Sequence, residues 1–91
     1  MVHIARHIIF KGMVQGVGFR FTAFGIASRL QLEGFVRNLH DGTVEMVVQG
    51  PRGDVENCIE DIINSFSGNN FETEIKDIAY DPKYSDFKIT F

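Results

Sequence analysis

Near its start the chain alternates apolar and polar side chains, which predicts a β-strand over His3–Lys11. The apolar members of this alternation share one face of the strand: Ile4, Ile8 and Phe10. The polar members share the other face: His3, His7 and Lys11. Later segments that are also predicted as strands are Phe35–Asn38, Thr43–Gln49, Phe71–Tyr80 and Phe87–Phe91.

Two other segments carry apolar side chains at helical spacing. The first predicted helix covers Phe21–Leu30, and its apolar stripe consists of Ala23, Phe24, Ile26, Ala27 and Leu30. The second has the more regular stripe, which consists of Val55, Cys58, Ile59, Ile62, Ile63 and Phe66. Asp54 is the predicted N-terminal cap of this second helix. Each stripe predicts one face of a helix that packs on a sheet.

The order of these elements is β-α-β-β-α-β with an added C-terminal strand. It predicts an α+β fold, the ferredoxin-like sandwich, in which an antiparallel sheet of four to five strands carries two helices on one face. Residues 1–91 contain no linker or repeat, so we expect a single domain. Because this fold hosts many unrelated functions, the function has to be argued from particular residues.

Composition narrows the class of partner. The net charge is −3, whereas a general nucleic-acid binder needs a basic surface, so charge argues against a nucleic-acid partner. No segment approaches the roughly 20 apolar residues of a membrane span, and the first residues lack the layout of a signal peptide. Cys58 is the only cysteine and lies on an apolar helix face, which predicts a buried thiol and no disulfide. We therefore expect a cytoplasmic monomer.

The stretch from Gly12 to Arg20 places three glycines and an arginine between the first strand and the first helix. Glycines let successive backbone N–H groups point into one concavity, and a helix N-terminus adds partial positive charge there. Arg20 would supply a fork-shaped cation for two oxygens of an anion. The stretch therefore predicts a cradle for phosphate or a similar oxyanion. On the glycines alone, a flexible connection that binds nothing is an equal alternative, since the stretch matches neither the P-loop nor the dinucleotide motif.

Several blocks along the chain resemble the acylphosphatase family in order and approximate spacing. They are Gly12-x-Val-Gln-Gly-Val-x-Phe-Arg20, Gly34-Phe-Val-Arg-Asn38, Gly42-Thr-Val44, Gln49-Gly-Pro51 and Tyr84-Ser-Asp-Phe-x-Ile89. The resemblance implies the ferredoxin-like fold and a small hydrolase that needs no metal or other cofactor. Such an enzyme splits small acyl phosphates into a carboxylate and inorganic phosphate.

The resemblance also implies a role for each matching residue. Backbone amides that would hold the phosphate belong to Gln15, Gly16, Val17, Gly18 and Phe19. Arg20 would bind the phosphate as well, and Asn38 would position the attacking water. The leaving group is a carboxylate, a weak base that needs little help from a general acid. No metal is demanded, and His3, His7 and His40 lack metal-ligand spacing.

Three positions depart from the usual pattern of the family. Phe35 stands where many members have tryptophan, Leu39 where a threonine is common, and Thr90 where many have an arginine. Leu39 and Thr90 bear on catalytic efficiency, whereas none of the three belongs to the phosphate cradle.

Two other functions compete with the enzyme. One is a non-catalytic module that binds acyl phosphates, like the acylphosphatase-like domains of carbamoyl-transfer proteins, although the presence of both Arg20 and Asn38 favours the enzyme. The other is an RNA-binding domain of the same fold class, whose exposed strand aromatics would stack on bases. The segment Gly34-Phe-Val-Arg37 matches that motif only in part, and its surroundings are not basic.

Overall fold

The computed structural model describes residues 2–16 and 18–91. The strands are β1 (His3–Gly12), β2 (Glu33–Asn38), β3 (Val44–Pro51), β4 (Phe71–Ile78) and β5 (Phe87–Ile89). The helices are α1 (Phe19–Arg29) and α2 (Arg52–Ser65). This order of elements confirms the predicted α+β class and the ferredoxin-like arrangement. Within the described residues, no helix is long and apolar enough to cross a membrane.

The five strands form one sheet in the order β4-β1-β3-β2-β5. The first three neighbouring pairs are antiparallel, but β5 runs parallel to β2, with Gly34 opposite Phe87 and Val36 opposite Ile89. The prediction of an antiparallel sheet is therefore wrong in this respect, because the sheet is mixed. The reason lies in the path of the chain: it leaves β4 at the end of the sheet where β2 begins. A strand that enters there beside β2 has to run in the same direction.

Both helices cover one face of the sheet, with α1 over β2 and β5 and α2 over β3 and β1. The alternation predicted for β1 is confirmed, since Ile8 and Phe10 are fully buried beneath the helices. The helix-facing residues of the neighbouring strands are equally buried, namely Val36, Val44, Met46 and Val48. The core thus lies in a single layer between the sheet and the two helices. The face of the sheet turned away from the helices is called the open face, although Ala5, Val47 and Gln49 on it are buried.

The first helix begins earlier than predicted, at Phe19 instead of Phe21. The Phe19 ring is 2% exposed, with its centroid 4.7 Å from that of Phe10 and 4.5 Å from that of Phe66. Phe24, predicted for the buried stripe, is 37% exposed. The buried aromatic side chain of α1 is therefore Phe19, in the first turn of the helix, which the sequence pattern placed in the loop.

The second helix also begins before its predicted cap. It starts at Arg52, directly after Pro51, so that Asp54 lies in the first turn and does not cap the helix. The thiol of Cys58 is fully buried, and burial raises its pKa to about 12. A thiol with so high a pKa is not a nucleophile at neutral pH. The prediction of a core cysteine is confirmed.

A charged cluster lies on the open face of the sheet. Glu45 accepts hydrogen bonds from His7 Nε2 at 2.8 Å and from Arg37 Nε at 2.6 Å. Burial raises the pKa of Glu45, but these two hydrogen bonds outweigh it, so the pKa lies below its usual value. His7 is thus engaged with a carboxylate. Among the described residues, no group of three or more His, Cys, Asp or Glu side chains could hold a metal ion.

The connection from β4 to β5, residues 79–86, is held in place by Gln49. Its side chain is fully buried, and its Nε2 donates to the Asp81 carbonyl oxygen at 2.8 Å and to Glu33 Oε1 at 3.0 Å. Its Oε1 accepts from the Asp81 backbone N–H at 3.0 Å. A single amide thereby satisfies both backbone groups of Asp81, and the connection is fixed across the end of the sheet on its way to β5.

Candidate active site

The loop between β1 and α1 is anchored where it leaves the strand. Gly12 has a φ of +115°, and a Cβ atom there would lie 2.5 Å from the carbonyl oxygen of Asn70, so the position requires glycine. The Met13 backbone N–H donates to that same oxygen at 3.2 Å, and Asn69 Nδ2 donates to the Met13 carbonyl oxygen at 3.2 Å. These contacts fix the start of the loop against the residues that lead into β4.

Gln15 ties the middle of the loop to the turn between β2 and β3. Its Nε2 donates to the carbonyl oxygens of Leu39 and Thr43, each at 2.9 Å. That turn is itself ordered, because Asp41 Oδ1 accepts from the Thr43 backbone N–H at 3.0 Å and from Thr43 Oγ1 at 2.6 Å. The same two hydrogen bonds lower the pKa of Asp41. The sequence predicted only a backbone amide at Gln15 and missed this role of its side chain.

Two glycines shape the rest of the loop. Gly16 and Gly18 have φ values of +79° and +76°, in the left-handed region that favours glycine. A Cβ atom at either position would meet no atom of residues 2–16 and 18–91 within 4 Å, so toward these residues both glycines border open space. Gly18 is also the N-terminal cap residue of α1, and no side chain caps the helix there. The first N–H groups of α1 therefore point toward the loop with the positive end of the helix dipole.

These residues form a concavity of about 210 Å³. Its lining consists of Val14, Gly16, Gly18, Phe19, Arg20, Phe21 and Asn38. The structure thus brings together the predicted Gly16, Gly18, Phe19, Arg20 and Asn38, which come from two separate parts of the chain. Gln15 does not line the concavity but supports the loop, and Val17 lies outside the described residues. The concavity is smaller than the roughly 300–1,000 Å³ of sites for drug-sized ligands, and it fits a small anion.

Arg20 carries the positive charge of the concavity. Within residues 2–16 and 18–91, none of the ion pairs involves Arg20. Its Cζ atom lies 5.2 Å from the ring centroid of Phe91, which is within cation–π distance. Phe91 follows β5, and the parallel pairing of β5 with β2 extends one residue beyond the strand, because the Thr90 N–H donates to the Val36 carbonyl oxygen at 2.9 Å. Among the residues that the structure describes, the guanidinium of Arg20 therefore contacts an aromatic ring and pairs with no carboxylate.

The three departures from the usual family pattern leave this arrangement intact. Leu39 contributes its backbone, which accepts from Gln15 and donates to the Thr43 carbonyl oxygen at 2.9 Å. Thr90 likewise contributes its backbone N–H. Phe35 lies on the open face of the sheet, with its ring centroid 6.1 Å from that of Tyr84. None of the three side chains lines the concavity.

The fold and the concavity define a class: a ferredoxin-like α+β protein whose glycine loop, arginine and asparagine meet at one end of the sheet. The family model described as acylphosphatase matches residues 6–89. The chain belongs to the acylphosphatase family, and it is an enzyme of that family.

Individual relatives agree with this assignment. An acylphosphatase of Chlorobaculum tepidum is 42% identical over 84 residues, which covers 91% of each chain. The crystal structure of an acylphosphatase from Bacillus subtilis superimposes with a TM-score of 0.87 at 28% identity, over 97% of this chain and 99% of that one. A full-length HypF, in a phosphate- and nucleotide-bound form, matches with a TM-score of 0.83 at 32% identity. That match covers 99% of this chain but 12% of the HypF chain.

Proposed function

We propose that the enzyme hydrolyses small acyl phosphates to a carboxylate and inorganic phosphate at the concavity between the β1–α1 loop and the end of β2. The observation that carries the proposal is that Arg20 and Asn38, 18 positions apart in the sequence, line one small concavity together with Gly16 and Gly18. This hydrolysis requires a cation and backbone N–H groups that bind the phosphate, and a neutral amide that positions the water.

The phosphoryl group would be bound by the loop and by Arg20. In phosphoryl transfer, charge spreads over the three equatorial oxygens, so catalysis depends mainly on positioning and on stabilising that charge. Backbone N–H groups of residues 15–19 and the start of α1 supply donors and partial positive charge. The planar guanidinium of Arg20 binds two oxygens at once. Because no carboxylate of the described residues pairs with Arg20, the substrate would not have to displace one.

Asn38 would orient the attacking water. Its amide cannot accept the proton at neutral pH, so the water oxygen attacks phosphorus while one water proton passes to a phosphate oxygen. The bond between phosphorus and the acyl oxygen breaks, and the electron pair leaves with the carboxylate. Since a carboxylic acid has a pKa of about 4, the leaving group needs no general acid. The products are a carboxylate and dihydrogen phosphate, which balance the substrate dianion and one water.

The test is hydrolysis of benzoyl phosphate in the presence of a chelator, beside a phosphate monoester as control. We expect turnover of the acyl phosphate alone. Arg20→Ala should abolish both phosphate binding and turnover, because it removes the charged ligand. Asn38→Ala should keep the affinity for inorganic phosphate and lose about 2.7–4 kcal/mol of barrier lowering, roughly 10²- to 10³-fold in kcat. Normal turnover in Asn38→Ala would refute the water-positioning role, and equal turnover of the monoester would indicate a broader phosphatase.

A second candidate is a module that binds acyl phosphates without hydrolysing them. The match to one segment of a much longer HypF chain favours it, because the same domain occurs there within a larger protein. In that case the chain would bind inorganic phosphate through Arg20 but show no turnover in the same assay. The monomeric state and the cytoplasmic location stay predictions, which gel filtration with light scattering and cell fractionation would test.

A further inference from the structure

A second and larger concavity adjoins the candidate active site. It is an open groove of about 550 Å³ between α1 and α2, and Phe21 lines both it and the smaller concavity. The Phe21 side chain is 73% exposed, although an aromatic ring gains most from burial. The ring lines the smaller concavity, but it is not among the groups proposed to hold the phosphate or the water. Phe21 therefore stands at the junction of the two concavities without an assigned role.

The groove and Asn38 both adjoin the first turn of α1, because Phe21 lines the groove and also lines the smaller concavity together with Asn38. Arg20 faces β5, where its guanidinium lies over Phe91, and Asn38 ends the neighbouring strand β2. Phe21, one residue further along the helix, lines the groove together with Asp61 and Asn64 of α2. The attacking and leaving oxygens of a phosphoryl transfer are roughly in line. The acyl group would therefore leave on the side of phosphorus away from the water that Asn38 holds, and Phe21 is the residue through which the smaller concavity adjoins the groove.

We infer that Phe21 selects the acyl group: the acyl portion of the substrate packs on its ring and extends into the groove between α1 and α2. The inference rests on the proposed function, because it assumes that the phosphoryl group occupies the loop. It names a substrate class, acyl phosphates whose acyl group is aromatic or extended, in preference to acetyl phosphate.

The shape of the groove fits such a group. Gly25 lies one helical turn beyond Phe21, about 6 Å along the axis, and a Cβ atom there would meet nothing within 4 Å. An aryl ring that packs on Phe21 would extend toward this open floor. Farther along, Arg29 and Asn64 line the groove, so hydrogen-bonding groups on a longer acyl portion would find partners there.

The experiment compares kcat/KM for benzoyl phosphate with kcat/KM for acetyl phosphate in the full chain. Phe21→Ala should lower the benzoyl-to-acetyl ratio by roughly 2- to 12-fold, which is the range for the loss of one aromatic pair. Phe21→Tyr, which keeps an aromatic ring at this position, should have the benzoyl-to-acetyl ratio of the wild type. Gly25→Leu, which fills the floor of the groove, should lower it as well, whereas Gly25→Ala should not. The inhibition constant of inorganic phosphate should stay unchanged in both Gly25 variants.

Phe91→Ala is the matched control, since Phe91 is an exposed aromatic residue that contacts Arg20 but lines neither concavity. It should leave the benzoyl-to-acetyl ratio unchanged, whatever it does to the two rates. A ratio in Phe21→Ala within twofold of the wild-type ratio would overturn the inference while the proposed function stands. The same holds if Phe91→Ala alone lowers the ratio. If the wild-type chain hydrolyses neither compound, the proposed function fails and the inference fails with it.

Discussion

The side chain of Gln15 offers a sensitive test of how the loop is held in the binding conformation. Replacing it with leucine, which has a similar size, removes both hydrogen bonds to the turn between β2 and β3, each 2.9 Å long. The start of the loop keeps its contacts with Asn69 and Asn70. The substitution therefore removes the contacts that hold the middle of the loop and leaves the contacts that hold its start.

The size of the effect follows from the number of bonds. A net contribution of about 0.5–1.5 kcal/mol per hydrogen bond gives about 1–3 kcal/mol for the pair. Both bonds are exposed, so water replaces part of the loss and the lower end of the range applies. If the loop spends correspondingly less time in the binding conformation, the apparent affinity for phosphate falls by the same factor, roughly 5-fold at 1 kcal/mol.

The assay is the dissociation constant of inorganic phosphate, measured by calorimetry on wild type and Gln15→Leu. Asn69→Ala is the control, because it removes a single hydrogen bond of 3.2 Å at the start of the loop. We expect weaker phosphate binding in Gln15→Leu than in Asn69→Ala, with a fall in Tm of no more than about 4–8 °C in either. Unchanged phosphate affinity in Gln15→Leu would show that the turn does not position the loop.

Three further predictions concern stability. Gly34→Ala should lower the free energy of unfolding by about 4 kcal/mol or more, because its Cβ atom would lie 1.9 Å from a backbone oxygen of β3; urea unfolding would check this, with Gly53→Ala as a tolerated control. Gln49→Met should cost about 1–3 kcal/mol in the same assay, since it leaves the Asp81 backbone N–H without its partner and the Asp81 carbonyl oxygen with only the Tyr84 N–H at 3.3 Å; a loss below 1 kcal/mol would contradict this role of Gln49. The folded-state pKa of Glu45 is lowered, so its contribution to stability is complete above the ordinary value of 4.5 and is lost as the pH falls through the folded pKa. Glu45→Gln should therefore reduce the decrease in Tm below pH 4.5, and an unchanged Tm profile would refute the pairing.

Local patterns predicted much of this molecule because much of it is locally encoded. The alternation in β1 and the apolar stripe of α2 are confirmed, since burial on one face leaves a periodic trace in the sequence. The start of α1 was missed because Phe19 adjoins a glycine and its ring packs on residues far along the chain. Periodicity carries no information about such a contact.

The sequence predicted which residues form the candidate site, but it did not predict the contacts that hold them together. The glycines and Arg20 form a contiguous stretch, and Asn38 was assigned through the family resemblance. The role of the Gln15 side chain left no local signal, because its partners lie 24 and 28 positions away. The same is true of the ring of Phe91 under Arg20, which depends on the parallel direction of β5.

The direction of the strands explains why these particular residues meet. β1 and β2 are both antiparallel to β3, so both run toward the same end of the sheet, and β5 reaches that end as well because it is parallel to β2. The loop after Gly12, the end of β2 at Asn38 and the ring of Phe91 are thereby brought together. However, β3 lies between β1 and β2, so the loop has to extend across the start of β3 to approach Asn38. Gln15 makes its two hydrogen bonds to the turn that enters β3, which is the place where that crossing needs support.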